Sequence, residues 1–97
     1  MYSHMMVGSN DLDRSKTFYD ALFGALGGEP GTIDPKGRVI YRQRGGVFMV
    51  SRPLDGAPAT PANGGTIGFT MDSPEQADAW HAAGVANGGQ AVEDPPG

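Results

Sequence analysis

His4-Met5-Met6-Val7-Gly8-Ser9-Asn10-Asp11-Leu12-Asp13-Arg14-Ser15-Lys16-Thr17-Phe18-Tyr19 is the stretch that decides the fold. It predicts a short strand, about Tyr2 to Val7, running into an amphipathic helix, because Leu12, Tyr19, Leu22, Phe23 and Leu26 recur at helical intervals after Ser9-Asn10-Asp11. Asn10 is the expected N-cap, with Asp11 and Asp13 adding negative charge where the helix dipole favours it. Strand alternation puts Tyr2, His4 and Met6 on one face and Ser3, Met5 and Val7 on the other. The helix is expected to end at Gly27-Gly28.

Downstream, Glu29 to Ile33 is a weak strand interrupted by Pro30-Gly31, and Asp34-Pro35-Lys36-Gly37 has the composition of a turn. Arg38 to Gln43 and Val47 to Val50 read as antiparallel strands joined through Gly45-Gly46. From Arg52 to Gly65 the residues are mostly Pro, Gly, Ala and Thr without periodicity, a linker inside one domain. Thr66 to Met71 alternates, with Ile67, Phe69 and Met71 on a packing face and Thr66, Gly68 and Thr70 on a small, polar face suited to a cavity wall. Ser73-Pro74-Glu75-Gln76 is a capping box opening a second helix that carries Ala77, Trp80 and Val85 and stops at Gly88-Gly89. Ala91-Val92 can begin one more strand before Asp94-Pro95-Pro96.

Shifting the second unit back by about 62 residues lays Thr66 on His4 and Trp80-His81 on Phe18-Tyr19. The chain is therefore a duplication: one domain, with a first module of about 1–52, a linker of about 53–65 and a partial second module of about 66–97. A chain of 97 residues supports one modest core and no second folded unit. The absence of cysteine removes disulfides and thiolate metal sites, as in a reducing compartment. With no signal segment and no apolar run near the roughly 20 residues of a membrane span, a cytoplasmic protein is the expectation.

The net charge of −4 lacks the global footprint of a nucleic-acid binder. Five of the seven basic residues, Lys36, Arg38, Arg42, Arg44 and Arg52, nevertheless fall together with no acid between them. They read as a solvated hairpin that discourages edge pairing, or as an anion-attracting wall for a carboxylate or phosphate. Met5, Met6, Met49 and Met71 read as core filler, with those facing a cavity giving an adaptable apolar lining. Tyr2, Tyr41 and Trp80 read as structural, and His81 as solvent-facing or capping. There is no nucleophile elbow, phosphate-binding glycine loop, Rossmann fingerprint or zincin motif.

The Asp11-Leu12-Asp13-Arg14 helix start with Phe18-Tyr19, the Gly46 to Ser51 strand, Asn63-Gly64-Gly65 leading into Thr66 to Met71, and the Gly88-Gly89 helix end together resemble the vicinal oxygen chelate superfamily of glyoxalase I, bleomycin-resistance proteins and extradiol dioxygenases. The resemblance implies an α+β fold of paired βαβββ modules around a metal or ligand cavity, often closed by a homodimer, with the last strands of the second module lacking here. A ferredoxin-like βαββαβ sandwich is the alternative that the length also suits. Metal-binding relatives take one ligand from the first and one from the last strand of each module. On this chain the first position is His4, the second falls near Met49, the third falls at Thr66, and the fourth lies beyond Gly97. One imidazole and a soft thioether suit Mg, Mn or Fe(II) poorly, so no cofactor is expected and a divalent metal is disfavoured.

The resemblance thus implies a small-molecule binder of the bleomycin-resistance kind, its ligand contacting His4, Met6, Arg38, Met49, Thr66 and Gly68, with His4 the one candidate metal ligand. The competing reading is a divalent-metal-dependent lyase or dioxygenase of the glyoxalase I type. Partners are a small molecule and a second copy of the chain, with neither nucleic acid nor membrane. Val7 and Phe69 should tuck beneath their helices, and His4 should face a concavity.

Overall fold

The computed structural model describes residues 4–60 and 67–89. Strand β1 (His4–Gly8) leads into helix α1 (Leu12–Gly24), followed by β2 (Thr32–Ile33), β3 (Val39–Gln43), β4 (Gly46–Ser51) and helix α2 (Pro74–Ala86). The sheet order is β1-β4-β3-β2, with β1 parallel to β4 and the other pairs antiparallel. Three strands rather than two separate the helices, which is the βαβββ module and not the ferredoxin-like order. Tyr2, Thr66 and the strand expected at Ala91-Val92 lie outside the described residues.

Local chemistry explains the element ends. Asp11, not Asn10, caps α1: its side chain accepts from the Arg14 amide at 3.1 Å. Asn10 is instead used at long range, where Oδ1 accepts from the Ala59 amide at 2.7 Å and Nδ2 donates to the Ala59 carbonyl at 3.3 Å. That pair holds the linker against the start of α1. Gly27, at φ 78°, lets the Gly28 amide reach back to the Phe23 carbonyl at 2.9 Å. Ser73 caps α2 as expected, accepting from the Gln76 amide at 3.2 Å, while Gln76 Oε1 accepts from the Asp72 amide at 2.7 Å. The second helix closes as the first does, with Gly88 at φ 104° and the Gly89 amide on the Gly84 carbonyl at 2.7 Å. Both helices are 13 residues long, so the duplication is visible in their caps as well as their order.

The β3–β4 hairpin turns through Arg44-Gly45 rather than Gly45-Gly46. Gln43 pairs with Gly46, and the two turn residues take φ of 51° and 78°. Two successive positive φ values form the type I′ turn that matches strand twist, so Arg44 accepts a conformation normally left to Gly or Asn. Residues 67–71 are not a strand, since alternation creates a ladder only where a neighbouring edge supplies hydrogen bonds. Their packing pattern survives nonetheless. The Phe69 ring lies 5.0 Å from Trp80, 5.5 Å from Phe23 and 5.6 Å from Phe48.

The core lies between the sheet and the helices. Phe23, Val39, Tyr41, Phe48 and Val50 are buried, with Val7, Leu12, Tyr19, Phe69 and Trp80 packed against them. Phe23 is its hub, stacked on Tyr41 at 4.8 Å and edge-on to both Phe69 and Trp80. The helices meet where Gly84 leaves room for Leu22, since a Cβ on Gly84 would sit 3.1 Å from its Cδ2. Val7 and Phe69 thus take the covered positions expected of them.

Candidate binding site

Strand register sorts the sheet into two faces. Met5 and Val7 of β1, Phe48 and Val50 of β4, and Val39 and Tyr41 of β3 face the helices, so their neighbours along each strand face away. On the face turned away from the helices, Met6 lies directly opposite Met49, which is itself opposite Ile40, and His4 lies opposite Val47, opposite Arg42. Met6 is 41% exposed, His4 and Arg42 are exposed, and Ile40, Val47 and Met49 are half-buried. The result is an apolar sheet face with an imidazole and a guanidinium in one cross-strand row.

Three of the expected site residues, His4, Met6 and Met49, therefore come together. Arg38 and Gly68 do not join them. Arg38 precedes β3 and is tied to Asp34, with Nε donating to Oδ2 at 2.6 Å. Asp34 also accepts from the Lys36 and Arg38 amides, and although burial pushes its carboxyl up, these bonds and the Arg38 charge hold it below the usual carboxylate range. Gly68 lines a cavity of about 250 Å3 on the opposite side of the sheet, among Met5, Phe23, Phe48, Ile67 and Phe69. Thr66 is outside the described residues. Gly68 and Thr70 do line a cavity, as their small size suggests, but a helix-side one that His4 and Met49 do not share.

Two of the five clustered basic residues are engaged by acids. Arg38 is paired with Asp34 and Arg44 with Asp72, whose carboxyl the guanidinium holds low. Arg42 faces the side of the sheet turned away from the helices. The alternation of β3 could have singled it out, because Val39 and Tyr41 are the covered positions and Ile40 and Arg42 alternate with them. His81 is half-buried on α2.

Behind the sheet, Asp20 organises a polar cluster. Its Oδ1 accepts from the Tyr41 hydroxyl at 2.7 Å and the Gly31 amide at 2.9 Å, and its Oδ2 from Lys16 Nζ at 2.7 Å. Burial pushes the carboxyl up, but the Lys16, Gly31 and Tyr41 bonds together pull it below its ordinary value. Burial and the adjacent carboxylate raise the Tyr41 phenol, which stays protonated. No sequence motif announces this cluster, because only Lys16 and Asp20 are helical neighbours, whereas Gly31 and Tyr41 lie 11 and 21 residues beyond Asp20 and reach it where α1 packs on β3.

The chain matches the model of the Glyoxalase/Bleomycin resistance protein/Dioxygenase superfamily over residues 2–96. It belongs to that superfamily. A search of curated proteins found no match. Among solved structures, a glyoxalase/bleomycin resistance protein from Albidiferax ferrireducens T118 is 56% identical, with a TM-score of 0.94 over 100% of this chain and 77% of that one. Of the positions that the resemblance assigns to metal ligands, His4 offers an imidazole and Met49 a thioether. Among the described residues, no three His, Cys, Asp or Glu side chains gather as a metal site would require. The imidazole of His4 and the thioether of Met49 are by themselves a poor match for a hard divalent ion. Among the described residues, too, no helix is long and apolar enough to cross a membrane.

Proposed function

We propose that this superfamily member binds a small organic molecule on the sheet face turned away from the helices, with His4, Met6 and Met49 as contacts and Arg42 available to an anionic group. The observation that carries the reading is the register. It sets two thioethers directly opposite one another and an imidazole two residues away, on the face that the helices leave open. Half-buried Ile40 and Val47 complete an apolar floor, and a few polar groups on such a floor are what orient a small ligand. Such a floor needs a roof, and a second copy of the chain is the roof we propose, so the working form is a homodimer. The binding requires no divalent ion.

A thermal-shift screen of small carboxylates and aromatics, run beside metal analysis of the same sample, tests this. Ligand-dependent stabilisation that is lost in Met6→Ala and Arg42→Ala supports binding on this face. Stoichiometric Ni, Zn, Mn or Fe that disappears in His4→Ala would replace it with the metal-dependent lyase or dioxygenase reading. No stabilisation by any compound would remove the binding reading.

A further inference from the structure

The donors that fail a hard divalent ion are suited to a different one. We propose that His4, Met6 and Met49 form a site for a soft monovalent cation of the Cu(I) and Ag+ class. The proposal rests on strand register alone and stands whether or not an organic ligand binds the same face.

Geometry comes first. Met6 and Met49 are paired residues of neighbouring parallel strands, so their Cα atoms are separated by about 4.8 Å. His4 lies two residues before Met6 on the same face, about 6.6 Å along β1. The three side chains thus rise from a small triangle. Methionine has three rotatable bonds, so both sulfurs can swing toward a point above the triangle that an imidazole nitrogen also reaches. Met6 is 41% exposed and Met49 half-buried, which leaves them room to turn.

Chemistry then selects the ion. Thioethers are soft, neutral donors that favour Cu(I), and imidazole is compatible with it. Neutral ligands leave the bound charge at +1, and β1, β3 and β4 contain no Asp or Glu to offset a larger one. An uncompensated dication beside Ile40 and Val47 would carry a heavier desolvation cost. Arg42, in the His4 row and two strands away, repels a dication twice as strongly as a monocation. The chain has no cysteine, so no thiolate competes for the ion.

Titrating the full chain with Ag+, a redox-inert probe, tests the site by calorimetry and by the methionine methyl signals in NMR. One Ag+ should bind per chain, moving the Met6 and Met49 methyls while leaving that of Met5, on the opposite face, in place. Met6→Leu with Met49→Leu should weaken binding by about 100-fold or more, and Met5→Leu should leave it within about 2-fold. Leucine nearly conserves methionine's volume, so the fold should persist, as circular dichroism would verify. If the double variant does not fold, Met49→Leu alone and the wild-type methyl shifts decide. The proposal is overturned if the leucine variants bind Ag+ as tightly as wild type, if the Met5 methyl moves as far as those of Met6 and Met49, or if Zn2+ binds more tightly than Ag+.

Discussion

Tyr41→Phe isolates one hydroxyl and should reveal what the Asp20 cluster contributes. The ring itself is retained, so its stacking on Phe23 at 4.8 Å survives. What disappears is the 2.7 Å bond to Asp20 Oδ1 and the longer 3.2 Å contact with the Lys16 carbonyl. A hydrogen bond to a charged acceptor contributes about 1.5–3 kcal/mol. Asp20 keeps its bonds from Gly31 and Lys16, and its side chain is 27% exposed, so water can take up the vacated lone pair. The expected cost therefore falls to or below the bottom of that range, about 1–1.5 kcal/mol. At this chain length that corresponds to a drop of roughly 4–12 °C in Tm. Urea denaturation of wild type, Tyr41→Phe, Asp20→Ala and the double variant gives the coupling directly. It should be about 1 kcal/mol, because each single change strands the same bond. Additive single effects, or a Tyr41→Phe cost below about 0.3 kcal/mol, would refute the view that this bond ties α1 to β3.

Gly31→Ala should destabilise by about 1–3 kcal/mol in the same assay, since its Cβ would sit 2.7 Å from both Tyr41 Cζ and Val39 Cγ1, which are buried and cannot retreat. Phe69→Ala should cost about 2 kcal/mol through lost ring contacts; a cost under about 0.5 kcal/mol would show that residues 67–71 do not dock on the core in solution. The carboxyls of Asp20, Asp34 and Asp72 are all held low in the folded state. Their stabilisation should be complete above about pH 5 and decline as pH falls below about 4 through the lowered folded values, so Tm should fall with acidification. Adding Tyr41→Phe should raise the pH at which the Asp20 share is lost, because one of the bonds lowering that carboxyl is gone.

Much of the fold was legible locally. The Leu12 to Leu26 periodicity, the Ser73-Pro74 start and the glycines after each helix carry their own signals, because capping and left-handed termination involve residues only a few positions apart. Alternation likewise placed His4 with Met6 and Met5 with Val7, since the period of two holds whatever the strand pairs with. The hairpin corner sits one residue earlier than its composition suggests. Gly45-Gly46 has the composition of a turn, but cross-strand register decided which residues occupy the corner, and Arg44 took a positive φ to satisfy it.

The sequence alone determined the first strand-then-helix unit, the two helices and the face on which each residue of β1, β3 and β4 stands, all of which follow from backbone periodicity and short-range hydrogen bonds. Only the tertiary structure decided that Met49 lies across from Met6, that Asn10 holds Ala59 instead of capping α1, and that Arg38 and Gly68 lie apart from His4. Those outcomes depend on contacts between residues tens of positions apart, where pairing geometry and competition among hydrogen-bond partners set the result and no local pattern records it.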